Sequence, residues 1–91
     1  MLIHLYATLR QRAGSRAVEV ECHDGASVGD ALRRLLDQRP ALEGRILDAN
    51  GRVVPYVAVF VEGRDIRHLD GLSTPVHEDD EIAVFPPVAG G

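Results

Sequence analysis

The sequence predicts an α+β domain, a sheet of about five strands packed on one main helix, followed by an extended C-terminal tail. Three patterns predict it. Apolar residues alternate in short runs toward both ends of the chain, one segment between them switches to a helical period, and the last six residues carry no core-forming pattern. The 91 residues suit one globular domain over 1–85 with a tail over 86–91.

The opening "LIHLYATLRQRAG" alternates in a way that suits a strand over residues 2–7 and reaches a turn near Gly14. "RAVEVE", residues 16–21, alternates again, so the two strands read as an N-terminal hairpin around a short connection. A turn at Asp24-Gly25 follows. Val28, Ala31, Leu32, Leu35 and Leu36 then recur at i, i+3, i+4, i+7 and i+8, which is one face of a helix. Ser27 is placed to cap it, with Asp30 completing a capping box. Asp30 with Arg34, and Arg33 with Asp37, are spaced to pair on the wet side. Pro40 disfavours helical geometry at Arg39 and ends the helix there.

Leu42, Ile46 and Leu47 suggest one short helical turn, and Asn50-Gly51 a tight turn. "YVAVFV", residues 56–61, is β-branched and aromatic throughout and predicts a strand. Glu62-Gly63 turns the chain toward a short strand at residues 64–67. "EIAVF", Glu81–Phe85, supplies the last strand, giving the order β-β-α-β-β-β without repeats or low-complexity linkers. Period 2 sends Val57, Val59, Val61, Ile82, Val84, Ile3 and Leu5 toward the helix. The same parity sends Tyr56, Ala58, Phe60, Ala83, Phe85, His4 and Tyr6 to the other face. All four aromatics thus fall on the face with no helix to cover it, as an interaction surface would.

Composition narrows the function classes. A net charge of −4 disfavours general nucleic-acid binding. One cysteine forms no internal disulfide and suits a reducing cytoplasm. Neither a leader nor an apolar run of membrane-spanning length is visible, so a cytoplasmic protein without membrane contact is expected. His4, His23, His68 and His77 show no metal-ligand spacing, and one cysteine completes neither a usual zinc site nor an iron–sulfur centre. Cys22 lacks an identifiable histidine or second cysteine and reads as a small, half-buried residue. Without lysine there is no Schiff-base chemistry, and no phosphate loop or Ser/His/Asp set is present. The domain is therefore expected to have no catalytic residues and to bind no cofactor of its own.

The tail "FPPVAGG" is where chemistry is expected. Pro86 and Pro87 end the last strand and favour an extended path. At ~3.3 Å per residue, residues 86–91 would reach roughly 20 Å, enough to enter a partner's active site. Gly90 and Gly91, lacking Cβ atoms, would fit a channel too narrow for other residues. A free carboxylate is a poor electrophile. Transfer of AMP from ATP would activate it as an acyl-adenylate, and a sulfur nucleophile could then displace AMP to leave a C-terminal thiocarboxylate.

The strand order, the terminal Gly90-Gly91, "FPPVAGG", "VFVEGRDIRHLDGL" and "LYATLRQRAG" together make the chain resemble the MoaD/ThiS sulfur carriers over essentially its whole length. The resemblance implies a ubiquitin-like β-grasp fold with a mixed sheet. It implies that an E1-like enzyme adenylates Gly91 using ATP, with Gly90, Ala89, Val88, Pro87 and Pro86 threading its channel, and that a persulfide donor supplies the sulfur. It implies that Tyr6, Arg10 and Phe85, joined by the outward-facing Phe60, form the surface for the activating enzyme or for a sulfur-accepting synthase. Foremost among recipients is the large subunit of molybdopterin synthase, this chain then being the small subunit in molybdenum cofactor synthesis. Thiamine thiazole synthesis, a cysteine route, tRNA thiolation and ubiquitin-like protein modification are the alternatives, and a docking module with an inert tail is a third class. One departure is visible: family members often carry Asp-Gly-Asp-Glu before the last strand, whereas Asp79 replaces that glycine here, at a turn where asparagine and aspartate tolerate left-handed geometry. The segment over residues 42–54 also makes the chain longer than the shortest members.

Overall fold

The computed structural model describes residues 1–87. Strand β1 (Leu2–Leu5) is followed by helix α1 (Thr8–Ala13), strand β2 (Ala17–Glu19), helix α2 (Val28–Gln38), and strands β3 (Ala58–Val61), β4 (Arg64–Asp65) and β5 (Glu81–Phe85). Single 3₁₀ turns at Pro40–Leu42, Ile66–His68 and Gly71–Ser73 fill the long connections. The five strands form one sheet in the order β2-β1-β5-β3-β4. Its central pair, β1 and β5, is parallel, and the other three pairings are antiparallel. The expected mixed sheet on one main helix is the architecture found.

The core lies between α2 and one sheet face. Ile3, Leu5, Val59, Ile82 and Val84 reach down from the strands onto Val28, Ala31, Leu32 and Leu35, and all are buried. Leu36 packs at the margin, half-buried. Each large side chain taken from water this way contributes about 1.5–3 kcal/mol, and Leu32→Ala would cost about 2–5 kcal/mol by leaving a cavity.

Helix α2 starts as its sequence prescribes. The Asp30 N–H donates to Ser27 Oγ at 3.1 Å and the Ser27 N–H donates to Asp30 Oδ2 at 3.0 Å, a reciprocal capping box. At the other end the Arg39 N–H still reaches the Leu35 carbonyl, at 2.9 Å, and Pro40 then stops the helix. The ion pair on its wet side is Arg33 with Asp30 at 3.2 Å, one residue closer than the expected i,i+4 pairs.

Elsewhere the structure corrects several expectations. The strand expected over residues 2–7 stops at Leu5, and the connection to β2 is helix α1 instead of a short hairpin turn, although β1 and β2 do pair antiparallel. Gly14 closes α1 in the left-handed conformation, its N–H donating to the Arg10 carbonyl at 3.0 Å. The strand expected over 16–21 spans only Ala17–Glu19. The strand expected over 56–61 begins at Ala58, because Tyr56 sits in a turn at φ 69°. Glu62 and Gly63, both at positive φ, make the two-residue hairpin between β3 and β4. That short strand ends at Asp65, where the 3₁₀ turn Ile66–His68 takes over.

Leu42, Ile46 and Leu47 are buried, but only Pro40–Leu42 is helical; Leu47 instead bridges Val53 around the Asn50-Gly51 turn. Asp79 adopts no left-handed geometry: the described non-glycine residues at positive φ are Ala7, Tyr56 and Glu62. Its turn is held by carboxylates instead. Asp80 Oδ2 accepts from the His77 N–H at 2.9 Å and Asp24 Oδ1 from the Glu78 N–H at 2.8 Å. Cys22 is buried, not half-buried.

Candidate functional site

The site is built where β1 and β5 end together. Their parallel register pairs Leu5 with Val84, so the next residues, Tyr6 and Phe85, emerge side by side on the face opposite α2. The two rings stack, with centroids 4.3 Å apart and planes inclined by 11°. Phe60 approaches Phe85 edge-on from β3, at 5.6 Å and 85°, the diagonal neighbour across a pairing that sets Ala58 opposite Phe85 and Phe60 opposite Ala83. Such offset and edge contacts are each worth about 0.5–1.5 kcal/mol beyond area burial.

Arg10 finishes the cluster. Helix α1 carries it back over β1, where its Nε donates to the Leu5 carbonyl at 3.1 Å and its guanidinium lies 5.4 Å from the Tyr6 ring centre. That is within cation–π range. The expected surface residues Tyr6, Arg10, Phe60 and Phe85 are therefore contiguous. Phe85 remains 37% exposed even so, beside Pro86, which is half-buried, and Pro87, which is exposed. An aromatic platform that keeps open area at the root of a tail is suited to seating a partner.

Tyr56 does not join it. The turn that begins at Val54 takes it away from the open-face cluster and leaves it 90% exposed. Three of the four aromatics, not all four, make the platform. Of the predicted tail residues, Pro86 and Pro87 stand at its edge, whereas Val88, Ala89, Gly90 and Gly91 lie outside the described residues.

Residues around the platform went unnoticed as a group in the sequence. His4, outward-facing on β1, contacts the Glu81 carboxylate, and Glu62 Oε1 accepts from the Glu81 N–H at 2.7 Å. Arg12 and Arg16, exposed in and just after α1, were not singled out either; the signal that could have found them is a first segment, 1–18, with three arginines and no carboxylate. Among the described residues no group of three or more His, Cys, Asp or Glu could hold a metal ion, and no helix is long and apolar enough to cross a membrane. Chemically, the arrangement offers an adhesive apolar face and arginine donors.

Comparison with known proteins extends the picture to the tail. The model of the ThiS family matches residues 3–91. Small archaeal modifier protein 3 of Haloferax volcanii is 40% identical over 89 residues, covering 98% of this chain and 96% of that protein. The crystal structure of SAMP1 from the same organism superposes with a TM-score of 0.88 at 38% identity, over 99% of this chain and 97% of that one. Sulfur carrier protein CysO of Mycobacterium tuberculosis is 28% identical over 69 residues, 74% of each chain.

Proposed function

This chain belongs to the ThiS/MoaD family of ubiquitin-like sulfur carriers, and from that membership we propose that Gly91 is adenylated by an E1-like enzyme and converted to a thiocarboxylate that donates sulfur. The carboxylate attacks the α-phosphorus of ATP, pyrophosphate leaves, and the acyl-adenylate forms. The terminal sulfur of a persulfide then attacks the acyl carbon and expels AMP. A thiol reduces the resulting acyl disulfide, is itself oxidised to a disulfide, and leaves the thiocarboxylate. ATP and the catalytic groups belong to the partners; this chain serves as co-substrate, in the cytoplasm.

The observation that carries the reading is the stacked platform of Tyr6 and Phe85 at the residue where β5 gives way to Pro86-Pro87 and the Gly90-Gly91 sequence. A partner seated on that platform receives the tail at a set distance from its own docking surface. The recipient we propose is a sulfur-accepting synthase, in the first instance a molybdopterin synthase large subunit acting in molybdenum cofactor synthesis, with cysteine, thiamine or tRNA thiolation as the alternatives.

A second reading has its own support. A relative that matches over nearly its full length is named a small archaeal modifier protein, and the same acyl-adenylate is an electrophile that a deprotonated lysine amine of another protein could attack, expelling AMP and forming an isopeptide bond.

Intact mass after incubation with ATP, an E1-like enzyme and a persulfide donor tests both. A gain equal to sulfur minus oxygen, abolished by deleting Gly91, is the carrier result. Adducts through Gly91 on lysines of other proteins are the modifier result. Tight binding with unchanged mass would overturn both in favour of an inert docking module.

A further inference from the structure

All ten basic side chains other than histidine are arginine, and lysine is absent from the sequence. Eight of the ten are exposed, spread over α1, α2, β4 and the connecting turns. A guanidinium keeps its proton at any working pH, so it gives the surface positive charge without a nucleophilic nitrogen. A lysine amine releases its proton in part and then attacks acyl groups. Lysine at the same places would have offered an acceptor amine on every side of the domain.

That leaves the α-amine of Met1, and the fold employs it. Strand β1 pairs Leu2 with Glu19, and Met1 extends the ladder by one residue, opposite Val20. The Met1 ammonium donates to the Val20 carbonyl at 3.0 Å, while the Met1 carbonyl accepts from the Val20 N–H at 2.9 Å. The ammonium also meets the Glu19 carboxylate. Its lone pair becomes available only when a proton leaves, and the ion pair with Glu19 goes with it. An amide formed there has one N–H and no charge, so it could keep Val20 but not the pairing with Glu19. Cys22, the one thiol, is buried.

We propose that the chain is a donor only: its activated C-terminus forms amide bonds with amines of other molecules and not with a second copy of itself. A protein conjugate it makes then carries single copies, each on its own acceptor lysine, instead of a chain of copies. In the carrier role the same feature leaves the acyl-adenylate for sulfur, however concentrated the carrier is. The inference rests on the acyl-adenylate that both readings share. The step avoided is attack of a neutral amine on the acyl carbon, with AMP leaving and a proton of the amine passing to solvent.

Two measurements test it. The chain is incubated with ATP and the E1-like enzyme, without a sulfur donor and with free lysine as a small acceptor, and intact mass is followed. Wild type gains a lysine adduct and gives no species of twice the chain mass less one water. Arg34→Lys/Arg45→Lys/Arg52→Lys/Arg64→Lys keeps every charge, supplies four exposed amines and gives that doubled species through Gly91. A doubled wild-type species joined at Met1 overturns the proposal. So does a lysine-bearing variant that takes free lysine but never a second copy, since the missing lysines would then not be the cause. Pyrophosphate release without a lysine adduct overturns it as well, because the acyl end then serves no amine. A wild-type chain that releases no pyrophosphate overturns the shared acyl-adenylate reading instead. The second measurement needs no enzyme: acetylation of Met1 by N-hydroxysuccinimidyl acetate should run about fivefold faster in Glu19→Ala than in wild type. Equal rates for wild type, for Glu19→Ala and for the chain unfolded in urea would show a free amine and overturn the proposal.

Discussion

Tyr6 and Phe85 lie face to face, 4.3 Å between ring centres, because two parallel strands in register release them at the same level. Neither ring is packed by the helix beneath the sheet. Each is held by the other, by the edge of Phe60, and on Tyr6 by Arg10. The cluster is thus a surface structure whose geometry depends on the sheet while its outer area stays available.

Phe85→Ala removes the shared member of both aromatic contacts. The folded state is expected to lose about 1–2 kcal/mol, less than a fully buried phenylalanine would cost, since the ring is partly in water already. The rate of sulfur gain should fall by about 10–100-fold, as a central aromatic anchor of an interface does. Phe60→Ala, at the edge of the cluster, should slow it less. Urea unfolding and the time course of intact mass read the two effects separately; a wild-type time course for Phe85→Ala would show that partners do not use this platform.

Ser27→Ala opens the capping box of α2. Loss of the Ser27 Oγ acceptor leaves the Asp30 N–H to water, a change of about 1 kcal/mol. For a domain of this size that is about 4–8 °C in Tm. The helix end lies far from the aromatic cluster in sequence and on the other sheet face, so the charging rate at 25 °C should stay at the wild-type value.

Acid should weaken the fold through two carboxylates. Asp30 is held below its ordinary value of 3.8 by the Ser27 N–H first, then by the Ser27 hydroxyl and Arg33. Asp65 is held below 3.8 by the Arg67 side chain and N–H. A folded-state pKa below the unfolded one means stability that is complete above about pH 4 and is lost as pH falls through the folded values. Asp30→Asn/Asp65→Asn should start less stable at neutral pH and lose less between pH 7 and pH 3 than wild type. Urea midpoints at those two pH values decide it, and parallel loss in both proteins would assign acid sensitivity elsewhere.

How much of this could be read from the sequence depended on repetition. Helix α2 repeats its apolar spacing over three turns and carries its own cap, so both its face and its start were legible. The parity of β1, β3 and β5 was legible too, and it brought Phe60, Tyr6 and Phe85 to one side before any contact was known. Helix α1 was not. Its six residues bury only Leu9, too few for a period to show, and the positive φ of Ala7 that launches it has no glycine to announce it. Residues 42–57 escaped for a related reason: Leu42, Ile46, Leu47 and Val57 are anchored one at a time, by turns. The placement of Arg10 depends on α1, so spacing alone could not put it over Tyr6.

Tyr56 offers a test of strain. It follows Pro55 in a turn closed by the Val57 N–H to the Val54 carbonyl at 3.1 Å, and it holds φ 69° with 90% of its surface in water. That position of a turn favours glycine or asparagine, because a side chain with a Cβ is crowded there and asparagine relieves the crowding with a local hydrogen bond. A bulky aromatic ring gains almost nothing from packing at such exposure. Tyr56→Asn should therefore raise stability, by about 0.5–1 kcal/mol, where most substitutions lower it. Tyr56→Gly should gain less, since glycine also loosens the unfolded chain. Tyr56 stands apart from the stacked rings, so both variants should take up sulfur at the wild-type rate. A stabilised Tyr56→Asn that charges normally confirms a strained turn outside the docking face; a stabilised variant that charges slowly would place Tyr56 on a second contact with the partner.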